Sequence, residues 1–169
     1  MIVIEFTEND TIFNIVAILL FYSNMEFSRM AISYHPGQGT ILLCDYQGNK
    51  SPEMDKKRPV IVLCNQIHAR PNLCTVVPLS TTPPDSMMPY HFKLFTIPPL
   101  PEPYNSEFHW VKGDMINAVS FQRLSLPFLG KDNSGKRVYD IRVLNSADFR
   151  SVQQAVLNGL GLTSLTFHL

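Results

Sequence analysis

Between Thr40 and Val143 the sequence breaks into apolar runs of four to eight residues, each closed off by Gly, Pro, Asn or Asp. They are TILLCDY (Thr40 to Tyr46), VIVLCN (Val60 to Asn65), TVVPL (Thr75 to Leu79), HFKLFTI (His91 to Ile97) and MINAVSF (Met115 to Phe121). Runs this short cannot make helices of ordinary length, and their Val, Ile, Leu and Phe suit a pleated, buried surface. Short strands at this spacing predict a small barrel or sandwich. Pro78 removes a ladder donor from the third run, which places that strand at an edge or a bulge. The stretch from Ile97 to Phe108, with Pro98, Pro99, Pro101 and Pro103, reads as a long surface loop. Asp132-Asn133-Ser134-Gly135 is a turn before a returning strand at Val138 to Val143. Helical spacing enters only near the end: Ser146 as N-cap, Phe149, Val152 and Val156 on one face, Gly159 as the stop. The fold class expected is a β-dominated α+β domain of five to seven short strands with a C-terminal helix.

Composition narrows the rest. Hydrophobic residues make up 45% of the chain and charged residues 17%, with 13 Pro and 8 Gly, which excludes bulk disorder, collagen and coiled coil. Fourteen basic residues balance fourteen acidic ones, so no whole-molecule field points to nucleic acid or membrane, and such a role must come from a local patch. Cys44, Cys64 and Cys74 form no C-x-x-C pair and read as buried thiols of a reducing cytoplasm. The apolar stretch Ile12 to Tyr22 is well short of the roughly 20 residues that span hydrocarbon. Glu5, Glu8 and Asp10 precede it where a secretory signal needs positive charge, so a soluble, cytoplasmic protein with no membrane partner is expected. Residues 1–29 connect to no downstream pattern, and two readings fit them: translated leader ahead of a later start, or an amphipathic helix docked on the domain. Residues 30–169 form the domain proper.

Three polar clusters could carry chemistry. The first is Ser51-Pro-Glu-Met-Asp-Lys-Lys-Arg58-Pro59, which runs straight into the VIVLCN strand. It sets Arg58 at the rim of the sheet, where a guanidinium can fork onto a phosphate, though a solvated turn with gatekeeper charges fits as well. The second is Ser80-Thr81-Thr82, hydroxyls that could bond a phosphate or cap a turn. The third is Lys112-Gly-Asp114, whose i, i+2 spacing on a strand makes either an acid/base pair or an ordinary ion pair. The five histidines have no metal-ligand spacing, and no Walker A, H-E-x-x-H or G-x-S-x-G motif occurs, so no metal site and no cofactor is expected. Tyr46, Tyr90 and Trp110 are candidate stacking surfaces for bases.

In order along the chain, Gly39-Thr-Ile-Leu-Leu-Cys-Asp45, Glu53 with Arg58-Pro59-Val-Ile-Val, Val76-Val77-Pro78-Leu79-Ser80, Asp114-Met-Ile-Asn-Ala-Val119 and Arg123-Leu124 resemble the MazF/PemK (Kid) toxin family of bacterial toxin-antitoxin systems, over about residues 34–160. The resemblance implies a small SH3-like barrel that forms homodimers. It implies a growth-inhibiting endoribonuclease that cuts single-stranded RNA without metal, leaves a cyclic phosphate and is neutralised by a cognate antitoxin. By that resemblance Arg58 stabilises the phosphate or acts as general acid, Ser80 lies near the scissile phosphate, Asp114 is a general base and Lys112 stands in for an Arg. Glu53 orients Arg58, and Lys56, Lys57 and Thr81 bind RNA. Pro52, Lys112 and Met115 depart from the family's His, Arg and Gln, and Lys cannot clamp bidentately. Two rivals follow: a gyrase-poison-like binding module of the same fold, or a decayed toxin.

Overall fold

The computed structural model describes residues 32–66 and 70–169; the N-terminal stretch 1–29 and His68 lie outside them. The described strands are β1 (Ile41–Cys44), β2 (Arg58–Val62), β3 (Leu73–Ser80), β4 (His91–Phe95), β5 (Phe108–Lys112), β6 (Asn117–Ser120), β7 (Leu124–Ser125), β8 (Phe128–Lys131) and β9 (Arg137–Tyr139). One helix, α1 (Ser146–Gly159), follows. Seven strands form one antiparallel sheet in the order β4-β5-β3-β2-β1-β7, with β6 also on β3, while β8 and β9 make a separate hairpin. The hydrogen-bonded order runs from β4 to β7 without closing on itself among the described strands, and short strands in one sheet followed by a C-terminal helix are the β-dominated α+β class expected. No helix among the described residues is long and apolar enough to cross a membrane.

The continuous apolar runs have a simple origin: the middle of the sheet is covered on both faces. Leu42, Cys44, Val60, Val62, Cys74 and Val76 pack on one side with Tyr46, Met54, Phe121 and Leu124. Ile41, Ile61, Val77, Leu79, Leu94 and Val111 pack on the other with Val152 and Ala155 of α1. Strand β5 differs, because Phe108, Trp110 and Lys112 are partly exposed while His109 and Val111 are buried. Such alternation marks a strand with one open face.

Pro78 is not at an edge. Strand β3 is central and changes partner along one side, pairing with β6 through Leu73–Val76 and with β5 through Leu79 and Ser80. Residues 112–116 leave the ladder opposite Val77 and Pro78, so the missing proline N–H falls where no acceptor faces it. The irregularity predicted at Pro78 thus lies in the neighbouring strand. A Met115 N–H to Lys112 C=O bond of 3.0 Å closes this excursion. Against it lies α1: a Cβ on Gly113 would collide with the Ala155 carbonyl, and one on Gly159 would come within 2.5 Å of the Gly113 carbonyl oxygen.

Other boundaries shift modestly. The helix is capped by Asn145, whose Oδ1 accepts the Asp148 N–H at 2.9 Å, one residue before the expected Ser146. The strand expected at Val138 to Val143 contracts to β9, with Val143 bridging Thr40 alone. Strand β6 stops at Ser120, because Phe121–Arg123 turn as a 3-10 helix capped by the Ser120 side chain.

Candidate active site

Arg58 opens β2 and pairs with Cys44 on one side. On the other side β2 runs antiparallel to β3 with Val60 opposite Pro78, and continuing that register sets Arg58 opposite Ser80. Ser80 stands opposite Trp110, and Trp110 opposite Lys93. Directly opposed residues of antiparallel strands share a face. Arg58, Ser80, Trp110 and Lys93 therefore form one row across four strands. On this face the apolar cover over β1 and β2 gives way to the open face of β5, and Arg58 is half-buried at that boundary with an Nε that has no hydrogen-bond partner.

Ser80 is buried, and its Oγ accepts the Thr82 N–H at 3.1 Å. That bond uses one lone pair and leaves the hydroxyl proton free to donate. Lys112 lies diagonal to Ser80, one strand over and two residues along, about 8 Å between Cα atoms from strand geometry. From Arg58 the same geometry gives roughly 12 Å, so two long cationic side chains on one face can close on a shared phosphate.

Asp114 is placed differently. It is exposed in the excursion after β5 and makes no ion pair with Lys112, so the expected convergence of the two heads is not formed. Both groups act instead on His91, which pairs with Lys112. Burial and the Lys112 charge hold that imidazole below its usual range, against the opposing pull of Asp114. Glu53 is exposed too, and its carboxylate accepts the Lys50 N–H at 3.0 Å. It shapes its own turn, with no hydrogen bond to Arg58.

On the helix-facing side, the start of β2 borders a pocket of about 290 Å³ rimmed by Lys56, Lys57, Thr81 and Tyr104 and floored by Leu79 and His109. The Tyr104 hydroxyl donates to the Lys57 carbonyl at 3.0 Å and fixes that rim. His109 is fully buried. Its Nδ1 lies 3.4 Å from Thr96 Oγ1, whose proton goes to the Ser106 carbonyl, while Nε2 has no partner. Burial pushes this imidazole below its usual range, the nearby Tyr104 carbonyl opposes the shift and the Arg142 charge adds to it. Nothing in the linear spacing of His109 distinguished it from the other histidines; the strict alternation of FHWVK was the available signal.

The stacking surfaces also sort themselves. Tyr46 is buried, with burial holding its hydroxyl well above the usual range, and is no platform. Trp110 stays partly exposed, and the open face of β4 and β5 adds Phe95 and Phe108, which the sequence reading passed over. Their rings meet edge-to-face at 6.3 Å, Phe108 meets Trp110 at 6.4 Å, and Lys93 Nζ sits 3.9 Å from the Phe108 centroid. Among the described residues no cluster of three or more His, Cys, Asp or Glu has metal-binding geometry.

The fold is similar to that of two solved structures. One is an endoribonuclease in complex with its cognate antitoxin from Mycobacterial species, 18% identical with a TM-score of 0.51 over 75% of this chain and 96% of that one. The other is MazF from Deinococcus radiodurans, 15% identical with a TM-score of 0.50 over 76% and 99%. The chain belongs to the PemK-like, MazF-like toxin family of type II toxin-antitoxin systems, whose family model matches residues 37–158. It is also 33% identical over 116 residues to the uncharacterized protein YifN of Escherichia coli (strain K12), spanning 57% of this chain and 76% of that protein.

Proposed function

We propose that this toxin-family protein is an endoribonuclease that cuts single-stranded RNA in the cytoplasm without a metal and is silenced by a cognate antitoxin. The row of Arg58, Ser80 and Trp110, with Lys112 on the diagonal, carries the reading: a guanidinium fork, a hydroxyl donor, a second cation and an aromatic ring share one face. RNA supplies its own nucleophile. The 2′-oxygen attacks phosphorus, the bond to the 5′-oxygen breaks, and the proton lost from the 2′-hydroxyl is balanced by one gained on the leaving oxygen. The protein must therefore stabilise the charge of the phosphorane and move protons.

Arg58 stabilises that charge, assisted by Lys112 and the Ser80 hydroxyl, and Asp114 is the base the family resemblance supplies. Lys56, Lys57 and Thr81 guide the RNA backbone at the end of the sheet. Exposed Leu129, Ile141 and Val143 offer apolar cover for a second copy, in keeping with a homodimer. The test is incubation of the purified chain with single-stranded RNA in excess chelator, with mapping of product ends. Cleavage leaving 2′,3′-cyclic phosphates is expected. Intact RNA, with inhibition of gyrase in its place, would favour the binding-module reading.

A further inference from the structure

The open face of β4 and β5 continues the Arg58 row and is built differently from the rest of the sheet. Its outward positions are His91, Lys93 and Phe95 on β4 and Phe108, Trp110 and Lys112 on β5. Three neighbouring aromatic side chains around a lysine are an unusual way to furnish a solvent-facing surface, since isolated hairpins gain solubility from charge and lose it from exposed rings. Phe95 is 57% exposed. Lys93 Nζ lies 3.9 Å from the Phe108 centroid, 5.3 Å from Phe95 and 6.0 Å from Trp110. The ammonium thus sits over the Phe108 ring with the Phe95 and Trp110 rings beside it, and it has three N–H donors to offer a ligand on this face.

We propose that this face is a base-stacking platform that holds a nucleotide flanking the scissile phosphate of single-stranded RNA, with Phe95 as the stacking ring and Lys93 as the phosphate contact. The proposal rests on the ribonuclease reading above and adds the surface that selects the substrate strand. Charge decides the occupant. A peptide strand or a second copy docking on bare rings would have to bury Lys93 and Lys112 with no acidic partner beyond Asp114, which stands at the far end. A nucleic-acid strand brings one phosphate per nucleotide to meet those cations and one flat base per nucleotide to meet the rings. Continuity supports the same occupant. Phe95 lies two strands from Ser80 and two residues along, roughly 12 Å between Cα atoms by strand geometry, close enough for one bound strand to touch both.

The experiment uses the full chain, Phe95→Ala and Phe95→Tyr, with two readouts. Cleavage kinetics on single-stranded RNA should show KM raised about 5- to 150-fold in Phe95→Ala, the range for one lost base–aromatic stack, with kcat little changed and Phe95→Tyr restoring KM. Emission of Trp110, the single tryptophan of the chain, should be quenched on adding a 2′-O-methyl RNA oligonucleotide, which binds but cannot be cleaved, at concentrations that rise in Phe95→Ala. Phe95 is exposed, so the fold should survive, and a thermal melt checks that. Unchanged KM and unchanged quenching would overturn the proposal. Sedimentation showing that Phe95→Ala dissociates a dimer would also overturn it, by assigning the face to a second copy. If Phe95→Ala is silent while Arg58→Ala abolishes cleavage, only the platform falls. If both are silent, the ribonuclease reading falls with it.

Discussion

Among the described glycines Gly113 and Gly159 leave the least room for a Cβ, and Gly113→Ala should be the most damaging single-methyl change outside the two apolar clusters. The three nearest atoms to a Cβ at residue 113 are the carbonyl oxygen and carbon of Ala155 and the carbonyl oxygen of Tyr90, all backbone and all inside 3.0 Å. No rotamer can relieve such a clash, so α1 must lift or the excursion must shift. The Gly113 N–H to Tyr90 carbonyl bond of 2.9 Å resists the second route. Overpacking of this kind costs about 1–3 kcal/mol, and with only main chain to give way the upper end, about 3 kcal/mol, is expected. For a chain of this size that is about 6–12 °C in Tm, at roughly 2–4 °C per kcal/mol. Thermal and urea melts of Gly113→Ala, Gly159→Ala and the double variant measure it. Because each methyl forces the same gap, the double variant should cost clearly less than the sum of the singles. Gly37→Ala, where a Cβ meets nothing within 4 Å, is the control and should shift stability by less than about 0.5 kcal/mol. A loss below about 1 kcal/mol for Gly113→Ala would refute the close seating of the helix on the turn that carries Lys112 and Asp114.

Two further outcomes separate parts of the account. Lys112→Ala should lower cleavage less than Arg58→Ala, since a single ammonium on the diagonal replaces a fork, and Ser80→Ala should fall between them if its free proton reaches the phosphate and be silent if the hydroxyl only caps Thr82; initial rates on one RNA rank the three. Stability should decline as pH drops below about 6.5, the unfolded histidine value, because buried His109 takes its proton only at lower pH when folded while the unfolded chain already holds one. Urea midpoints at pH 8 and pH 5 should therefore differ less in His109→Leu than in the parent, and parallel behaviour would contradict the assignment.

The strands were legible because both faces of β1, β2 and β3 are covered, which writes continuous Val, Ile and Leu runs into the sequence. Strand order was not legible: a list of strands does not say that β3 lies between β2 and β5, nor that β1 carries β7 on its other side. Pro78 was read as an edge or a bulge; the strand is central and the irregularity lies beside it, because the sequence shows which strand lacks a donor but not that its neighbour changes there from β6 to β5. The candidate site was legible in its residue types and not in its grouping. Arg58 and Ser80 are 22 positions apart and become neighbours only through the β2–β3 register, whereas Lys112 and Asp114, two apart, are separated by the turn at Gly113. Phe95 and Phe108 escaped notice because exposed rings look like core residues until the alternation of β5 shows which face is open. Cys64, expected to be buried with the other thiols, is partly exposed where the chain leaves β2.

The central claim is that Arg58 stabilises the transition state of RNA cleavage on this face of the sheet, and Arg58→Ala tests it most directly. Single-turnover cleavage of single-stranded RNA in chelator should fall on the order of a hundredfold or more, the cost of one lost transition-state donor. Arg58→Lys should recover only part of the rate, because a point charge replaces a fork. The Tm should stay close to that of the parent, because the buried Nε of Arg58 makes no hydrogen bond within the fold. Undiminished cleavage by a folded Arg58→Ala protein would contradict the account.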